Sequence, residues 1–163
     1  MARRIFQIAS GVLAGALAVA QFFPPARTNP PADPAASFES ARPPAQVAAV
    51  IQRACIDCHS NRTVWPAYSL IAPVSWLIAQ DVREGRAHLN FSEWGRLGPE
   101  MALTRTREIC QQTREGDMPP WYYQSMHRAA KLREADIRAT CSPWMLGDTG
   151  RGQAAAQVED APR

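Results

Sequence analysis

The chain opens on an uncharged apolar run, Ile5 to Phe23, behind a short positive start, Met1-Ala2-Arg3-Arg4. Nineteen such residues are long enough to cross a bilayer as a helix, with Arg3 and Arg4 held inside. Ala18-Val19-Ala20 ahead of Gln21 is also a small-x-small site, so removal by a signal peptidase is the competing reading. A retained anchor is the favoured one, and under either the rest of the chain is exported. Residues 24–44 then abolish all periodicity, because seven of the chain's 14 prolines fall there. Proline fixes φ and removes a donor, so we expect an extended, semi-rigid linker without a core, holding the remainder of the chain off the membrane surface.

Helical spacing returns after Pro43 and Pro44, which suit a helix start, with Val47, Val50, Ile51, Ala54 and Cys58 on one face. NRTVWPAYSLIAP has two prolines and no period, and is expected as a loop. A second helix runs from Pro73, presenting Val74, Leu77, Ile78 and Val82 on one face and closing near Gly85. LNFSEWGRLG reads as a turn-rich connection. A third helix starts near Pro99-Glu100 and stops at Gly116, because Asp117-Met118-Pro119-Pro120 cannot continue it. A short helix from Trp121 to His127 and a last one from Arg133 to Cys141 complete the pattern. No alternating run of strand length and no internal repeat occurs. The expected fold is a small all-α domain of four or five helices.

Charge changes this picture little. The formal net charge is +3, and Lys131 is the only lysine among 18 basic residues. The arginines are interspersed with acids, as at Asp81, Arg83, Glu84 and Arg86, so no nucleic-acid surface is expected.

The candidate chemistry lies at Cys55-Ile56-Asp57-Cys58-His59, the c-type haem attachment pattern. Two thiols about a helical turn apart can add to the two vinyl groups of one haem, and the adjacent histidine offers a ring nitrogen to the iron. In a chain of this composition the pattern arises by chance on the order of once in 500. Three other readings compete. A thiol-disulfide redox pair wants a βαβ setting, and no strands are visible. A zinc site would need His88, Cys110, His127 or Cys141 at poor spacing. A structural Cys55–Cys58 disulfide would close too short a loop to stabilise much.

For the sixth iron position the candidate is Met118, held in a proline-bound segment where core packing is an odd use for a flexible side chain. Met101, Met126, Met145, His88 and His127 are its rivals. Cys110 and Cys141 are a candidate disulfide, since export favours the oxidised pair. A ring-rich set including Trp65, Tyr68, Trp76, Trp121, Tyr122 and Tyr123 would suit either an ordinary core or a buried haem. A carbonyl between Trp65 and Pro73 is expected to orient the second ring nitrogen of His59. The expected organisation is therefore a signal or anchor helix over 1–23, a linker over 24–44, a haem-binding domain over 45–146 and a disordered tail over 147–163.

Three blocks, CIDCHSNRTVWPAYSLIAPVSW, DVREGRAHLNFSEW and GDMPPWYYQSMHRAAKL, resemble, in this order, the bacterial haem-binding domain family of cytochrome-c-like proteins. The likeness covers about residues 45–145, and QFFPPARTNPP resembles the membrane-proximal stretch before such domains. It implies a cytochrome-c-like fold around one covalent haem c, held by Cys55, Cys58 and His59, with Met118 as distal iron ligand. The Cys110–Cys141 pair lies outside that resemblance. The leading function is single-electron transfer in the periplasm, with redox proteins as partners and the inner membrane as anchor. The alternatives are a peroxidase-like haem oxidoreductase, assisted by Asp117 or His127, and a haem-based redox or gas sensor. A single CxxCH excludes a self-contained two-haem peroxidase.

Overall fold

The computed structural model describes residues 1–147, which contain helices and turns and no strand. The expected tail lies outside the described residues from position 148 onward. Helix α1, Ala2–Ala20, has no buried residue and is exposed up to Val19. It is the one described helix long and apolar enough to cross a membrane, a property that signal sequences share.

The domain is built from α2 (Ala45–Ala54), α3 (Ile56–His59), α4 (Val74–His88), α5 (Pro99–Glu115), α6 (Trp121–Met126), α7 (Glu134–Thr140) and the one-turn α8 (Pro143–Leu146). Helix α2 buries Val47, Val50, Ile51 and Ala54, as its spacing predicts. The single helix expected to continue through Cys58 instead breaks at Cys55, whose φ of −124° restarts the chain as α3 and buries Ile56. Helix α5 ends where Gly116 takes the left-handed conformation (φ 81°). The amides of Asp117 and Met118 both donate back to the carbonyl of Gln112, at 3.1 and 3.2 Å.

The core joins Phe38, Val47, Val50, Ile51, Ile56, Phe91, Trp94, Ile109 and Met145. Phe38 packs edge-on against Phe91, Trp94 and Trp144, with centroids 5.2, 5.0 and 5.9 Å away. Its presence there changes the expectation for residues 24–44. That segment is irregular up to Asp33, then forms single 3-10 turns at Pro34–Ala36 and Phe38–Ala41, and it supplies a ring to the domain's core. Arg86 clasps it: Nη1 donates to Thr28 O (2.8 Å) and Nη2 to Asn29 Oδ1 (2.7 Å). The same guanidinium reaches Ser60 O and Thr63 Oγ1, both at 2.7 Å. Proline removes donors but leaves carbonyls, and a five-donor guanidinium satisfies several at once.

Helix α4 departs from its expected face. Ser75, Ala79, Val82 and Gly85 are buried, whereas Val74 and Leu77 are exposed. A Cβ on Gly85 would stand 2.7 Å from the Cys58 carbonyl oxygen. The small residues therefore bring the α4 backbone against α3, and Gly85 serves close approach, not termination; the helix continues to His88.

Candidate functional site

The turn at Cys55 and helix α3 place the CxxCH side chains on one wall of a cavity of about 320 Å³. Cys55, Cys58, His59 and Met118 all line it. Apolar groups dominate the remaining wall, among them Val64, Ile78, Val82, Leu89, Phe91 and Ile109. Cys55 and Cys58 are free thiols. Burial, reinforced for Cys55 by the neighbouring Cys58 and for Cys58 by Asp81 and Asp57, pushes both up to about 12. They are thus protonated and unspent.

His59 is oriented by backbone. Its Nδ1 lies 3.0 Å from Gly85 O and 3.2 Å from Leu89 O. The expected carbonyl in the loop before Pro73 is not the partner. The end of α4 supplies it: Gly85 O, which also accepts from the Leu89 amide at 2.8 Å, and the carbonyl of Leu89 just past the helix. Two acceptors at Nδ1 select the tautomer with the proton on that nitrogen and leave Nε2 free as a ligand. Burial lowers the imidazole's pKa, which favours the neutral ring.

Met118, also in the lining, is 40% exposed on the α5–α6 connection. Of its rivals, Met101, Met126 and Met145 do not line the cavity, and Met145 is in the core. His88 and His127 do line it, but both are engaged. His88 Nε2 meets Glu108 Oε2 at 3.3 Å and Arg105 Nη1 at 3.2 Å. His127 is hydrogen-bonded to the Tyr68 hydroxyl, and its ring stacks on Tyr123 with centroids 4.2 Å apart.

Two carboxylate–tyrosine pairs escaped the sequence reading. Tyr123 Oη donates to Asp57 Oδ2 (2.8 Å), and Tyr122 Oη donates to Asp81 Oδ2 (3.1 Å). Asp57 Oδ1 also accepts from the Val64 amide at 3.1 Å. The residue between the two cysteines thereby ties α6 and the following loop to the motif. Burial first, then the Asp81 charge, pushes the Tyr122 hydroxyl up to about 12, and burial followed by its bond to Asp57 raises that of Tyr123 still further. The aromatic richness of Trp121-Tyr122-Tyr123 was the one signal in the sequence; the partners are 41 and 66 residues away.

Cys110 on α5 and Cys141 after α7 are joined as a disulfide, with Cα atoms 4.7 Å apart. Those two sulphurs are spent, and no group of three or more His, Cys, Asp or Glu residues arranged for a metal ion occurs among the described residues. The zinc reading therefore has no donor set. The thioredoxin-like reading lacks its strands among the described residues.

These observations fit a haem. A largely apolar cleft suits a flat macrocycle, two free thiols face it together, and one neutral imidazole has its second nitrogen fixed. A family model described as a haem-binding domain matches residues 15–145. No curated protein and no solved structure matches the chain.

Proposed function

The chain belongs to the haem-binding domain family, and from that premise we propose that it is a c-type haem protein transferring single electrons at the periplasmic face of the inner membrane. Cys55 and Cys58 would hold one haem c covalently, and His59, through Nε2, and Met118 would ligate its iron. The carrying observation is that these four side chains, 63 residues apart at the extremes in sequence (118 − 55), line one apolar cavity.

Each residue has a defined task. The thiols of Cys55 and Cys58, protonated and unpaired, would supply the two S–H groups for thioether links to the haem vinyls. Gly85 O and Leu89 O hold the His59 ring and increase its basicity toward a metal. The apolar wall excludes water. The bound haem supplies a one-electron couple whose potential those hydrogen bonds and that burial tune. The disulfide supports an oxidising compartment, and α1, with Arg3 and Arg4 inside, supports a membrane tether. Redox proteins are its partners.

The exposure of Met118 favours a second reading, in which that position opens and the domain acts as a peroxidase-like oxidoreductase or a redox or gas sensor. Asp117, offered for proton transfer in that reading, does not line the cavity. The test is the visible spectrum of protein made in cells able to attach haem, in both oxidation states, with and without carbon monoxide. Haem that survives denaturation and is lost in Cys55→Ala/Cys58→Ala establishes covalent attachment. A reduced spectrum indifferent to the gas supports the carrier, and a shift supports the alternative. A colourless folded protein defeats both.

A further inference from the structure

The junction between α1 and the domain is hydrogen-bonded. Gln21, the first residue past α1, donates from Nε2 to Ala72 O (3.2 Å) and accepts at Oε1 from the Ala72 amide (3.1 Å). Two residues on, Phe23 O accepts from Trp76 Nε1 at 2.9 Å. The domain therefore begins where the apolar helix ends. Around this junction Phe22, Phe23, Leu70, Ile71, Trp76 and Leu77 are between 42% and 81% exposed. No charged residue occurs from Thr63 to Gln80. The Arg27 guanidinium, donating to Ser69 O at 2.8 Å, stands beside them. Exposed apolar side chains gathered in this way mark an interaction surface in a domain whose own core is already formed.

We propose that this face, the turn before α4 and the outward side of its first turns, lies on the bilayer surface with Leu70, Ile71 and Leu77 in the headgroup–acyl boundary. The inference rests on the reading of α1 as a retained membrane anchor. Nineteen helical residues rise about 28 Å, close to the ~30 Å hydrocarbon thickness, so a spanning α1 places Gln21 at the boundary. Ala72 is one hydrogen bond from Gln21, which fixes Leu70 and Ile71 at the same level. Trp76 has the amphipathic form enriched there, with its N–H satisfied by Phe23 and its ring uncovered. The exposed side of Val74 and Leu77 also explains why α4 turns small residues inward. The helix has two apolar surfaces, one for α3 and the cavity and one for lipid.

The test uses the full chain in phosphatidylcholine–phosphatidylglycerol vesicles carrying a photoactivatable diazirine on the acyl chain, with cross-linked peptides read by mass spectrometry. Labelling of both α1 and the segment 70–77 is the expected result. In Leu70→Asp/Ile71→Asp/Leu77→Asp, labelling of 70–77 should fall about tenfold, equivalent to about 1.4 kcal/mol, with α1 labelling and the circular dichroism spectrum unchanged. Labelling of α1 alone in the unaltered chain overturns the surface contact and leaves the anchor standing, with water or another protein covering the face. Labelling of neither overturns the anchor, and this proposal with it.

Discussion

The two walls of the cavity are built by different means. The His59 wall is assembled from closely packed backbone: α3 is pressed on α4 at Gly85, and the imidazole is bonded to two carbonyls. The Met118 wall is a short connection between α5 and α6, half-exposed and supported from behind by a helix whose own attachment includes the Cys110–Cys141 bond. One side is fixed by dense packing that tolerates no added atom; the other is fixed at a distance. The contrast separates a proposed iron ligand whose geometry is set by the fold from one whose geometry can respond to what binds.

Loosening the Met118 wall at its support should have the largest effect on stability. Cys110→Ser/Cys141→Ser opens a closure spanning 31 positions and should lower unfolding free energy by ~3–4 kcal/mol in urea titration. A loss below about 1 kcal/mol would show that α5 is held by its packing on α7 and α8 alone. Attacking the His59 wall comes next. Gly85→Ala drives a methyl group into the Cys58 carbonyl, at a cost of about 1–3 kcal/mol, and displaces the carbonyl that accepts from Nδ1. An unchanged denaturation midpoint would mean that α4 can slide off α3, against the close-packed picture.

Arg53 on α2 and Asp136 on α7, outside both walls, form an ion pair at 2.6 Å. The Arg53 bond and the α7 cap hold the Asp136 carboxyl below its ordinary 3.8, despite the opposing effect of burial. A depressed acid stabilises above its unfolded value and loses that stabilisation as pH falls through the folded value. Asp136→Asn should therefore cost about 1 kcal/mol near neutral pH and flatten the stability curve below pH 3.8. A curve parallel to that of the unaltered chain would strip Asp136 of that role. Met118→Ala should change stability least, within about 0.5 kcal/mol for so exposed a side chain. In the haem-loaded protein it should nevertheless open the iron to carbon monoxide, as read in the visible spectrum. A gas-indifferent variant would hand the sixth position to another ligand.

Much of the fold was legible, because helix spacing and proline breaks are local signals. The stretches expected as helices cover α2 with α3, α5, α6 and α7, and α4 as far as Gly85, with the prolines at 119 and 120 falling between α5 and α6. The CxxCH motif was equally local. What could not be read depends on contacts between distant segments. Gly85 looks like a helix end in sequence, and only the approach of Cys58 shows its use. The carbonyls that orient His59 sit 26 and 30 residues away. Proline density in residues 24–44 predicts an extended chain, but composition carries no information about the turns at Pro34–Ala36 and Phe38–Ala41 or about Phe38 reaching the core.

The Arg86 clasp also decides where the molecule can be severed. A fragment begun at Ala45 would leave a hole beside Phe91 and Trp94 and strip two acceptors from the guanidinium. A fragment begun at Gln21 would keep Phe38, Thr28, Asn29 and the paired bonds to Ala72. Helix α1 contributes no buried residue. The portable module therefore starts at Gln21, the position a peptidase acting after Ala20 would make the new terminus. Tethered and released forms would share one interior, so maturation could change the address of this domain without altering its inner architecture.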